Sequence, residues 1–123
     1  MFTSHIIRAC LVGAAVLMVF SLRAVPTGAG AGQAADAVKK GEEVYAAQKC
    51  SMCHAIAGKG NKQNPLDGIG AKLSADDIRQ WIVDPAAMTA KSKSTKKPPM
   101  PSKWAKLPAA DLDALVAYLQ SLK

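Results

Sequence analysis

Apolar and polar positions divide the chain into an apolar leader and a helical remainder. Leu11 to Leu22 reads LVGAAVLMVFSL, an apolar run twelve residues long. Downstream, Val38, Gly41, Tyr45 and Gln48 recur on one face with Val44 beside them, which predicts a helix from Asp36 to Lys49 with Asp36 as its N-cap. A glycine inside a helix costs about 1 kcal/mol against alanine, so Gly41 points to close approach by another backbone. Ala55 to Leu73 is rich in Gly, Lys and Asn and reads as a loop. Ser74-Ala-Asp-Asp77 resembles a capping box that opens a helix through Ile78, Trp81 and Ile82, and Pro85 ends it. Ala86 to Ala90 adds a short turn, and Lys91 to Lys106 is irregular and proline-bearing. Asp111 to Lys123 places Leu112, Leu115, Val116 and Leu119 at i, i+3, i+4 and i+7, the cleanest amphipathic helix of the chain. Nothing reads as a strand ladder. The expected fold is all-α, three or more helices joined by long loops. Loops of this length in a small domain call for a reason, and wrapping a large flat cofactor is one.

The leader has the three parts of a secretory signal peptide. Met1 to Cys10 carries Arg8 and no acid, the apolar run follows, and small residues lead out of it from Thr27 to Ala37. Twelve apolar residues are too few for the roughly 20 of a membrane-spanning helix. We therefore expect a signal peptide over residues 1–34, cut between about 29 and 34, and a single mature domain over 35–123. The Ala29-Gly30-Ala31 and Gly32-Gln33-Ala34 triplets fit the small-residue rule for the cut. The destination is the periplasm, with no stable membrane insertion after cleavage. Loss of Arg8 and Arg23 lowers the net charge from +7 by two. That moderate basicity, on an exported chain, argues against nucleic acid as a partner.

A mature chain of this size needs a staple. Cys10 lies in the leader, ahead of the apolar run, where lipoprotein-type acylation does not occur. Cys50 and Cys53 remain, and Cys50-Ser51-Met52-Cys53-His54 has the spacing of a c-type haem attachment site. Two thiols three positions apart add to the two vinyl groups of one haem edge, and the next imidazole reaches the iron from one face. Structural zinc would need four protein ligands, a redox pair would be expected beside a βαβ unit, and a disulfide this short would stabilise little. None of these accounts for His54. The only other histidine, His5, leaves with the leader, so a bis-histidine iron is ruled out in the mature chain. Met52 lies between the attachment cysteines. Met100, in a loop stiffened by Pro98, Pro99 and Pro101, is the expected sixth ligand, with Met88 the alternative.

On CSMCH at 50–54, Gly41 and Tyr45, Trp81-Ile82, Met100-Pro101, and Leu115, Tyr118 and Leu119, the chain resembles class I c-type cytochromes of the small bacterial kind. The resemblance covers most of Asp36 to Lys123. It implies a cytochrome c fold in which Gly41 and Tyr45 meet the Leu115–Leu119 face. It also implies a proline carbonyl on the proximal histidine, for which Pro65 is the candidate, and a tryptophan on a haem propionate, Trp81 or Trp104. A Gly-Pro-x-Leu arrangement is common in that family; this chain has Asn64-Pro65-Leu66 instead.

With histidine and methionine both bound, an iron keeps no open position for substrate. The expected role is therefore one-electron transfer by a monomeric, non-enzymatic carrier with one covalent haem c and its iron. An open-site haem enzyme or gas sensor would require Met100 to stay unbound, and a dedicated subunit of a larger oxidoreductase is the other alternative. Between Asp84 and Asp111 there is no acid, whereas Lys91, Lys93, Lys96, Lys97, Lys103 and Lys106 all fall there. That collar suits redox protein partners with acidic docking surfaces.

Overall fold

The computed structural model describes residues 29–123; the leader expected over 1–34 thus lies almost wholly outside the described residues, as do His5 and Cys10. The first helix, α1, spans Ala29–Ala47, starting well before the expected Asp36 cap. Alanine is the best helix former, and the Ala-rich stretch simply continues the helix upstream. Residues 30–36 are all exposed, so these early turns rest on local propensity rather than packing. Lys49, at a φ of 55°, ends the helical course and turns the chain into a short 3-10 helix, Cys50–Met52.

The expected loop that follows is more ordered than its composition implies. It holds a hairpin of two-residue strands, β1 (Ala55–Ile56) and β2 (Lys59–Gly60), paired antiparallel, and a single-turn helix, α2 (Ile69–Lys72). Ala57 and Gly58 both take positive φ, which is what a two-residue hairpin turn requires. Strands this short leave no alternation to read.

Helix α3 (Ala75–Val83) begins as the capping motif predicts: the Ser74 hydroxyl accepts from the Asp77 amide at 3.1 Å and donates to the Asp77 carboxylate at 2.8 Å. It buries Ile78 and Ile82. Pro85 ends it but also opens α4 (Pro85–Ser92), where Asp84 caps the Ala87 amide at 3.0 Å. The missing proline N–H costs nothing in a first turn, so the turn expected over Ala86 to Ala90 is a full helix. A second 3-10 helix, Ser102–Lys106, and then α5, Ala109–Ser121, complete the chain.

The frame is the crossing of α1 with α5. A side chain on Gly41 would run into the Ala114 carbonyl and stand 2.5 Å from the Tyr118 Cβ. One turn on, the Tyr45 and Tyr118 rings meet edge to face, their centroids 5.9 Å apart. Gly41 and Tyr45 thus meet α5 as the resemblance implies. Val44, Tyr45, Ile78, Ile82, Trp104, Leu115, Val116 and Leu119 form the core, each contributing roughly 1.5–3 kcal/mol by burial. The fold is the all-α arrangement expected.

Candidate functional site

The core does not close. A cavity of about 460 Å3 opens between the 3-10 helix at Cys50, α3, α5 and the proline-rich loop before Ser102. Cys50, Cys53 and His54 line it, and so does Met100 with Pro98, Pro99 and Pro101. Its remaining walls are mostly apolar, among them Leu66, Ile69, Ile82 and Leu119.

The attachment segment is held by its own carbonyls. Cys53 and His54 both donate to the Cys50 carbonyl, at 3.1 and 3.0 Å, closing the turn that brings both sulfurs to the cavity. The loop beyond β2 then satisfies the next four carbonyls. The Asn61 amide serves Ser51 and His54 at 3.0 and 3.2 Å, its side chain serves Met52 at 3.3 Å, and the Asn64 side chain serves Cys53 at 3.4 Å. The Tyr45 hydroxyl donates to the His54 carbonyl at 3.2 Å, tying the segment to α1. Gly60 is obligatory here: its φ is +102°, and a Cβ would strike the His54 carbonyl and come within 2.9 Å of the Ser51 carbonyl.

His54 Nδ1 stands 3.1 Å from the Asn64 carbonyl oxygen. A carbonyl only accepts, so Nδ1 carries the proton and Nε2 keeps a free lone pair. Burial lowers the imidazole pKa, opposed by the bond to Asn64, and favours the neutral ring a metal needs. The resemblance had pointed to Pro65 for this carbonyl; the structure assigns it to Asn64. The reason is local: Ala55 and Pro65 form a parallel bridge, in which the Ala55 amide donates to the Asn64 oxygen at 3.3 Å and the Leu66 amide to the Ala55 oxygen at 2.8 Å. That ladder sets the Asn64 carbonyl beside the ring.

Cys50 and Cys53 are both half-buried at the cavity wall and are not joined to each other as a disulfide. Burial pushes the Cys50 thiol up to about 11, so it is protonated at neutral pH. Among the three described methionines, Met88 is buried on α4 outside the cavity lining, Met52 is on the surface, and Met100 borders the cavity. Trp81 and Trp104 both line it as well. Trp104 is buried and its Nε1–H has no hydrogen-bond partner in the protein. A buried unmade bond of that kind costs about 1–3 kcal/mol, so this donor awaits an acceptor within the cavity. Among the described residues no group of three or more His, Cys, Asp or Glu side chains is arranged to hold a metal ion by itself.

These features fit one kind of occupant: a flat, largely apolar group joined to two thiols, bearing a metal for His54 and an acceptor for the Trp104 N–H. Sequence reasoning missed the Asn61 and Asn64 cage and the lining by Lys96, the one lysine or arginine on the cavity wall. Two asparagines three positions apart, Asn61 and Asn64, ahead of Pro65 and close behind the attachment motif were the available signal for the side-chain part of that cage. No helix among the described residues is long and apolar enough to cross a membrane. A family model described as Cytochrome c matches residues 38–123. No curated protein and no solved structure gives a match.

Proposed function

The chain belongs to the cytochrome c family, and we propose that it is a periplasmic electron carrier whose iron is held by His54 and Met100. As a member of that family it binds haem c covalently and transfers electrons. The haem supplies a one-electron Fe(III)/Fe(II) couple. Cys50 and Cys53 would hold it, each S–H adding across one vinyl double bond to leave a thioether. His54 Nε2 and the Met100 sulfur would take the iron. The observation that carries this reading is that CSMCH and the Met100 loop border one apolar cavity, with the His54 tautomer already set for metal.

The protein's part is to hold this geometry still. The carbonyl cage fixes the His54 backbone, and three prolines restrict the Met100 loop. Ligands on stiff segments move little between oxidation states, which favours fast transfer, and apolar walls exclude water and favour the ferrous, less charged form. With His54 and Met100 both bound to the iron, no position would be left for substrate, and the site would carry electrons rather than act as an enzyme.

Lys91, Lys93, Lys96, Lys97, Lys103 and Lys106 are all exposed. Only Lys91 of these makes an ion pair among the described residues, with Asp77 at 3.6 Å. Such a field suits an acidic redox protein and makes association salt-dependent. The decisive experiment is a redox titration of the purified mature protein with its ferric spectrum. A methionine–iron charge-transfer band that Met100→Ala abolishes is expected. A wild-type spectrum without it would overturn the ligation and indicate an open site.

A further inference from the structure

Trp104 carries a cation on its ring and an unmade bond at its edge. The indole belongs to the core with Ile78, Ile82 and Leu115. Its Nε1–H is buried and has no partner in the protein. The ammonium of Lys103 lies over the ring face, 4.7 Å from the centroid. A cation within about 6 Å of a ring centroid is attracted by the ring's quadrupole.

The ring is the partner of that ammonium. Lys103 is exposed, and a lysine at the surface ordinarily keeps its charged head in water. It makes no ion pair among the described residues, and no acid occurs between Asp84 and Asp111 to draw it away. Trp104 lines the cavity whereas Lys103 is not on its wall, so the indole stands between this charge and the cavity. A cation on the ring face draws density from the indole and strengthens its N–H as a donor. The effect counts for more at a buried group, where water and salt screen it less.

We propose that Lys103, acting through the indole of Trp104, raises the reduction potential of the haem by strengthening the Nε1–H as a donor to a carboxylate of that cofactor. This rests on the electron-carrier reading above. A better neutralised carboxylate leaves less negative charge near the iron, which disfavours the ferric state. Lys103 is a positioning residue: it acts on the haem only through the hydrogen bond of its neighbour. Among the six lysines between Asp84 and Asp111 it thus has a task separate from docking.

The test is a double-mutant cycle on the holoprotein, read as the midpoint potential and as the Trp104 N–H proton resonance of the ferrous form. Lys103→Met keeps the length of the side chain and removes its charge. It should lower the ferrous-to-ferric ratio at a fixed applied potential about two- to fivefold, the worth of an exposed cation on a ring. Lys103→Arg, which keeps the charge and stacks on aromatic faces, should hold the wild-type ratio. In a Trp104→Phe background the ring remains and the N–H is gone, so Lys103→Met should change nothing further. The N–H resonance, identified by its loss in Trp104→Phe, should move upfield in Lys103→Met as its hydrogen bond weakens. A wild-type potential or an unmoved resonance in Lys103→Met would overturn the proposal. So would a Lys103→Met shift that persists undiminished beside Trp104→Phe, since the charge would then act on the haem directly. A holoprotein with no reversible couple, in wild type and variants alike, would instead overturn the electron-carrier reading itself.

Discussion

Gly41 on α1 touches the Ala114 carbonyl on α5 so closely that the two backbones leave no room for a single methyl group between them. The first and last helices of the described fold are therefore locked at one point, and the Tyr45–Tyr118 contact continues the seam. Because backbone rather than a flexible side chain is the obstacle, Gly41→Ala must push the helices apart. Overpacking of this kind costs about 1–3 kcal/mol. The urea midpoint of Gly41→Ala is expected to fall accordingly, and an unchanged midpoint would show that the crossing is looser than described.

The carbonyl on His54 belongs to Asn64, which separates two substitutions. Asn64→Ala keeps that carbonyl but loses the side-chain bond to Cys53 at 3.4 Å, a cost of about 0.5–1.5 kcal/mol. Pro65→Ala leaves the acceptor in place. Both variants should keep a protonated Nδ1, seen as a hydrogen-bonded imidazole N–H resonance in the ferrous protein. Loss of that resonance in Pro65→Ala alone would return the role to the proline.

Alkaline pH should weaken the fold through its two tyrosines. Burial first, then the neighbouring Cys50, Tyr118 and Asp67, pushes Tyr45 up to about 12. Burial and Glu42 also raise Tyr118. The native phenols hold their protons where unfolded ones, titrating near their ordinary value of about 10, release them. Stability is thus fully present below about pH 10 and is lost as pH rises toward 12. Urea unfolding at pH 8 and pH 11 should show a smaller loss for Tyr45→Phe than for wild type. Equal losses would remove Tyr45 from the account.

The unpartnered Trp104 N–H gives a prediction on the haem. A donor turned toward a carboxylate of the cofactor partly neutralises it, and less negative charge near the iron favours the ferrous state. Trp104→Phe, which keeps the packing, should lower the midpoint potential while the methionine band stays. A potential identical to wild type would assign the N–H to something other than the cofactor.

The sequence pattern disclosed elements whose signal is local. The Leu112–Leu119 stripe marks α5, Ser74 and Asp77 mark the start of α3, and Gly41 with Tyr45 marks the crossing. The hairpin was hidden because two-residue strands have no period and Ala57 is not a residue that advertises positive φ. Pro85 read as a stop when it is equally a start. Residue chemistry singled out the attachment motif and Met100, and the structure adds that Cys50, Cys53, His54 and Met100 border one cavity. Asn64 was not legible, because its contribution to His54 is a backbone carbonyl, which every residue owns.

The exposed beginning of α1 bears on the cleavage expected between about 29 and 34. Half-buried positions start at Ala37 and Val38, the first fully buried one is Gly41, and the family match begins at Val38 as well. Of the residues whose burial is described, a cut between 29 and 34 would remove only exposed positions of α1. Chains begun at residue 30 and at residue 35 should therefore share one melting temperature, and a difference of several degrees would show that the first turns of α1 carry part of the stability.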